Sequence, residues 1–150
     1  MGTGETHLYI PDNTTVTELK VRYGETDQMG VVYHPNYLSY FEMGRTTWIE
    51  THWQPYRAFE KRGLLLPLTD ATVHYLKSAH YDETLEVQTT LTHLTPLRVT
   101  FDYRIVRSYD GLLLTTGKTQ HVWVSPSFHP VSLKKIWPEA YAYLERIPRV

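Results

Sequence analysis

Tyr23-Gly24-Glu25-Thr26-Asp27-Gln28-Met29-Gly30-Val31-Val32-Tyr33-His34-Pro35-Asn36-Tyr37 is the stretch around which the chain is organised. A polar loop carrying one well-placed carboxylate runs directly into a long amphipathic segment that reads as helix to about residue 52. Pro35 fits the first turn of that helix, where no amide donor is needed, and His34 then falls near the N-cap. Gly30 is suited to positive φ or to a close approach of ligand to backbone. The first amides of a helix have no partner within it, and the helix dipole adds a positive end. The sequence therefore predicts free N–H donors around residue 34, beside Asp27, where they can polarise a substrate oxygen.

Along the helix, steps of 100° from Tyr37 place Leu38, Tyr40, Phe41, Gly44 and Trp48 in one broad apolar arc with Ile49 at its edge. Ser39, Glu42, Thr46 and Glu50 fall opposite. Gly44 weakens helix propensity by roughly 1 kcal/mol relative to Ala, which makes sense where a neighbouring element passes close by. Arg45 is the odd residue of the arc, read as snorkelling outward or pairing with Glu42.

Outward from this centre, residues 1–15 lack periodicity and read as a flexible lead-in without the basic start and apolar run of a signal peptide. Residues 17–23 alternate as a half-buried strand, with Leu19, Val21 and Tyr23 on one face. After Trp53, a short helix over residues 55–61 closes at Gly63. Pro67 marks the start or edge of a second strand reaching residue 76. Leu85, Val87, Thr89 and Leu91 form the inner face of a third strand. Val99, Phe101, Tyr103 and Ile105 do the same for a fourth over residues 98–107. Asp110-Gly111 is a hairpin signal leading into a last strand over residues 112–124. Residues 132–147 carry a C-terminal helix, with Ser132 as N-cap and Pro138 as a kink or second start. No repeat or linker divides the 150 residues, so residues 1–150 form a single α+β domain, one antiparallel sheet packed on a long helix. A long edge strand invites pairing with a second copy.

Composition narrows the function. The absence of cysteine excludes a thiol nucleophile and cysteine-based zinc sites, and it suits a reducing cytoplasm, the expected location. A net charge of -1 gives no basic field for nucleic acid, and no apolar run approaches a membrane span. The eight histidines show no His-x-x-x-His or His-Glu-x-x-His spacing, so no metal is expected.

The run Arg22-Tyr23, Thr26-Asp27, Met29 through Leu38, Tyr40-Phe41-Glu42 and Arg45 resembles the hotdog-fold acyl-CoA thioesterases of the 4-hydroxybenzoyl-CoA thioesterase type, above all the branch associated with the Tol-Pal system. The likeness extends over roughly residues 17–125, with Leu66-Pro67, Tyr81-Asp82-Glu83 and Asp110-Gly111 also in place. It implies a five-stranded sheet wrapped around the central helix, a homodimer with a continuous sheet that often pairs into a homotetramer, and hydrolysis of an acyl-CoA thioester without cofactor. It further implies that Asp27 carries the chemistry and that the amide near His34 polarises the thioester carbonyl.

Asp27 is then general base or direct nucleophile, with His34 and Tyr33 as further catalytic candidates. Gly30, Val31, Asn36 and Tyr37 are expected to contact substrate. Lys77 and Arg98 are the first candidates for the CoA phosphates, ahead of Arg104, Arg107 and Lys118. An acyl-thioester hydratase or dehydratase would use a His with a carboxylate in a different arrangement. A non-catalytic acyl-CoA or protein-binding module would have no need of Asp27.

Overall fold

The computed structural model describes residues 13–149. Strand β1 (Thr14–Lys20) leads through one 3-10 turn (Tyr23–Glu25) and the loop to helix α1 (Asn36–His52), and a short helix α2 (Tyr56–Lys61) follows. The strands β2 (Leu68–Tyr75), β3 (Thr84–Leu94), β4 (Arg98–Arg107) and β5 (Leu113–Val122) come next, then helices α3 (Leu133–Ile136) and α4 (Pro138–Arg146). All strand pairs are antiparallel, in the order β1-β3-β4-β5-β2. The α+β class and the five-stranded sheet are those read from the sequence. The crossover is not: β2 lies at the far edge, beside β5, although it precedes β3 in the chain.

The core is the inner face of the sheet against α1. Alternation places Leu85, Val87, Thr89 and Leu91 of β3 and Val99, Phe101, Tyr103 and Ile105 of β4 inward, and all are buried. From the helix, Tyr37, Tyr40, Phe41, Trp48 and Ile49 meet them. Phe41 stacks on Tyr103 with ring centroids 4.4 Å apart, and Trp48 sets its edge on Phe101 at 5.3 Å. Each fully buried side chain of this size contributes about 1.5–3 kcal/mol. Gly117 of β5 leaves room for the Phe41 ring, which a β-carbon there would strike. A second aromatic cluster of Trp53, Phe59, Trp123 and Trp137 joins α2 and the C-terminal helices to the end of the sheet, and Arg62 lies 3.8 Å over the Trp137 ring.

Several expectations need correction. β1 begins at Thr14 and ends at Lys20, earlier than residues 17–23. Leu19 and Val21 do face the core, but the chain turns at Arg22, so Tyr23 lies in the 3-10 turn, 69% exposed. Residues 1–12 of the expected lead-in lie outside the described residues, while Asn13 is buried and Thr14 and Thr15 are already strand. Leu38 is exposed, because Tyr37 and Phe41 fill the arc beside it. Arg45 neither snorkels out nor pairs with Glu42: its Nη1 donates to the Tyr103 hydroxyl at 3.3 Å. Of the two readings of Pro138, the second start holds, so residues 132–147 carry two helices. Ser132 Oγ caps α3 by accepting the Lys135 amide at 3.3 Å, and Pro138 then opens α4.

Candidate active site

The loop before α1 is a small hairpin with Gly30 at its turn. Asp27 N–H donates to the Val31 carbonyl and Gly30 N–H to the Asp27 carbonyl, both at 2.9 Å, and Gly30 has φ 81°. Position 30 therefore requires glycine for its conformation, with no neighbour crowding it. Asp27 Oδ1 accepts the Met29 amide at 2.8 Å, which fixes the carboxylate and leaves Oδ2 for other work. The loop is tied to the connection after β2 by Val32 N–H to the Ala79 carbonyl at 2.9 Å.

Glu25 anchors the same loop to the helix. Its Oε1 accepts the Arg22 amide at 2.9 Å and the Tyr40 hydroxyl at 3.0 Å, and its carbonyl accepts Tyr33 N–H at 2.9 Å and Asn36 Nδ2 at 2.8 Å. Burial, then the Glu25 charge, push the Tyr40 phenol far above its ordinary pKa, so it stays a donor.

The helix start differs from expectation. The amides of Asn36, Tyr37 and Leu38 are not free: they donate to the carbonyls of Tyr33, His34 and Pro35 at 2.9, 3.3 and 3.1 Å. These tight first-turn bonds satisfy the groups a regular helix would leave open. Pro35 has no N–H. At this helix start, the amide of His34 has no acceptor among the described residues.

A cleft of ≈ 210 Å³ opens here, lined by Asp27, Val31, His34, Tyr37, Tyr75 and Lys77 among others. It brings together five of the residues expected from the sequence. Tyr37 is buried, its hydroxyl accepting the Ala79 amide at 3.4 Å, and burial raises its pKa, so the phenol stays neutral. Tyr33, Gly30 and Asn36 do not line it. Tyr33 is half-exposed and packs edge-on against the His34 ring at 4.8 Å, and Asn36 turns its side chain to Glu25. Arg98 stands apart: it is seven residues along β4 from Ile105, which lies level with Tyr75 through Thr115, a separation of roughly 24 Å at ~3.4 Å per residue.

Sequence reasoning missed Tyr75. Its hydroxyl donates to the His34 carbonyl at 3.2 Å, and its ring meets those of Tyr37 and His34 at 5.4 and 6.3 Å. The signal was present, since alternation in β2 puts Tyr75 on the same face as Val73, but nothing local in sequence says that the end of β2 meets residue 34. Among the described residues no three His, Asp or Glu side chains converge as a metal requires, and no helix is long and apolar enough to cross a membrane.

A carboxylate and an open backbone donor that border one cleft are groups suited to attack on a carbonyl. The model of the thioesterase-like superfamily matches residues 21–127, which spans the loop, α1 and the whole sheet after β1. The chain belongs to that superfamily. This thioesterase is similar over 130 residues, at 37% identity, to YneP of Bacillus subtilis, provisionally named an acyl-CoA thioesterase, covering 86% of this chain and 94% of that one. It is 34% identical over 116 residues to the acyl-CoA thioester hydrolase YbgC of Escherichia coli, covering 76% of this chain and 86% of the relative. Among solved structures, a DHNA-CoA thioesterase from Staphylococcus aureus superposes with a TM-score of 0.86 at 35% identity, over 89% of this chain and 90% of the other. The fold is thus the hotdog fold of that superfamily.

Proposed function

We propose that the protein hydrolyses the thioester of an acyl-CoA to free acid and CoA, with Asp27 as the reacting carboxylate and the His34 amide as oxyanion donor. The observation that carries this reading is that the Asp27 carboxylate and His34 border one cleft, with the His34 amide lacking any acceptor among the described residues. The similarity to acyl-CoA thioester hydrolases supports the substrate class.

Two routes suit this geometry. As general base, Asp27 takes a proton from water while the resulting hydroxide oxygen adds to the carbonyl carbon. The oxyanion is held by the His34 N–H, then collapses and expels CoA as thiolate. As nucleophile, a carboxylate oxygen adds to the carbonyl directly, CoA leaves as thiolate, and water cleaves the mixed anhydride, restoring Asp27. Lys77 lines the same cleft, which supports it as the residue that meets the CoA phosphates.

The test is thiol release from short aliphatic, long aliphatic and aromatic acyl-CoAs, comparing wild type with Asp27→Asn. Loss of the carboxylate should lower kcat by about 10²–10⁴-fold while acyl-CoA binding is retained. A variant with wild-type turnover sinks the role of Asp27. Label found in the Asp27 carboxylate after a single turnover in ¹⁸O-water identifies the nucleophilic route, because the general-base route makes and breaks no C–O bond of Asp27.

The active assembly is a homodimer built across β2. In the described chain β2 pairs with β5 alone and shows mostly exposed residues, which supports continuation of the sheet through a second copy. Sedimentation equilibrium should give twice, or for paired dimers four times, the 17.6 kDa chain mass, and a monomer would refute it. Within the superfamily the loop motif supports the 4-hydroxybenzoyl-CoA thioesterase type and its Tol-Pal-associated branch. A cytoplasmic location accords with a CoA substrate and a cysteine-free chain.

A further inference from the structure

We infer that Tyr75 is a positioning residue for the reaction: from the end of the edge strand β2, its hydroxyl holds the His34 carbonyl and thereby aims the His34 amide at the substrate. The inference rests on the reading of Asp27 and His34 given above. Residue 34 has an unusual set of constraints. Its carbonyl is followed by Pro35, so the next peptide has no N–H, and residues before proline are confined to extended conformations. That carbonyl accepts twice, from the Tyr37 amide at 3.3 Å and from the Tyr75 hydroxyl at 3.2 Å. On the other side, the Tyr33 amide is fixed to the Glu25 carbonyl at 2.9 Å. The peptide that carries the His34 N–H is therefore gripped at both flanks, and its donor is the one group left open.

The Tyr75 ring is half-exposed and packs in T-shaped contacts with the rings of Tyr37 and His34, so removal of the hydroxyl alone leaves the packing in place. An oxyanion donor works by being aimed before the reaction begins, and loosening its peptide lowers turnover without altering ground-state contacts. Tyr75 is also where β2 touches the site, since no other residue of that strand lines the cleft.

The experiment is steady-state hydrolysis of the best acyl-CoA by wild type, Tyr75→Phe and Asp27→Asn, with the ¹³C shift of the His34 carbonyl recorded in wild type and Tyr75→Phe. We expect Tyr75→Phe to lower kcat about tenfold, less than the loss of a donor itself, with KM within about twofold and thermal midpoint and sedimentation unchanged. The His34 carbonyl resonance should move upfield as it loses a donor. Full kcat in Tyr75→Phe, a rise in KM at constant kcat, or an unmoved carbonyl resonance would each overturn the inference. An active Asp27→Asn would overturn the site reading and Tyr75's role with it. An inactive Asp27→Asn beside a fully active Tyr75→Phe overturns Tyr75's role alone.

Discussion

Gly44 of α1 lies so close to Thr89 of β3 that a β-carbon at position 44 would collide with the Thr89 hydroxyl and come within 2.8 Å of a Val87 methyl. The helix can approach the sheet this far only because residue 44 has no side chain, and Phe41 and Trp48 then reach Tyr103 and Phe101 on β4.

Gly44→Ala should therefore destabilise the protein. Helix propensity alone favours the change by roughly 1 kcal/mol. Overpacking of a filled core acts against it by about 1–3 kcal/mol, and the Val87 and Thr89 atoms lie on a strand paired on both sides, so they have little room to yield. Urea denaturation should show a lowered midpoint at unchanged slope. A raised midpoint would mean that helix and sheet separate at little cost.

Asn13 should prove a structural keystone. Its Nδ2 donates to the Leu91 and Pro148 carbonyls, both at 2.7 Å, its Oδ1 accepts the Leu91 amide at 2.9 Å, and its own carbonyl accepts Trp48 Nε1 at 2.6 Å. Asn13→Ala leaves buried Leu91 groups without partners, at ~1–3 kcal/mol for each unsatisfied group. The expected loss is roughly 3 kcal/mol in thermal or urea unfolding, followed by Trp48 fluorescence. A variant as stable as wild type would show that the Asn13 side chain adds nothing to the fold.

His121 predicts a specific acid sensitivity. It is buried, with Nε2 2.8 Å from Thr119 Oγ1, which is in turn 2.6 Å from the Tyr103 hydroxyl held by Arg45. Burial first, and the Arg45 charge second, lower its pKa to about 4, against the weaker pull of the Leu66 and Pro67 carbonyls. The unfolded chain has a histidine pKa of about 6.5. Between these values the unfolded state binds a proton that the folded state does not, so stability from His121 is full above pH ~6.5 and is lost as pH falls toward 4, at up to ~1.4 kcal/mol per pH unit. Urea unfolding at pH 7.5, 6 and 5 should show a steeper decline in wild type than in His121→Gln. Carboxylate effects are common to both proteins, so parallel declines would remove His121 as the cause.

Much of the fold was legible because its periodicities are strong. Strand β4 was read at its observed bounds from Val99, Phe101, Tyr103 and Ile105, and the Asp110-Gly111 turn correctly joins it to β5, with Gly111 at φ 69°. Gly63 after α2 likewise adopts φ 74°. Two of the errors share one cause. Tyr23 continued an alternating pattern after the strand had ended, and Leu38 completed an arc whose space other side chains had filled. A pattern gives a face, and burial depends on what arrives opposite it.

The sequence by itself determined the elements, the inward residues of β3 and β4, and the neighbourhood of Asp27, Gly30 and His34, because these follow from local spacing and backbone chemistry. Only the tertiary structure decided the crossover that sets β2 beside β5. It also turned Arg45 toward Tyr103, closed the first-turn amides except that of His34, and brought Tyr75 to the carbonyl of a residue 41 positions away. Those outcomes depend on which surfaces meet when the chain closes on itself, and no local pattern encodes a meeting between distant segments.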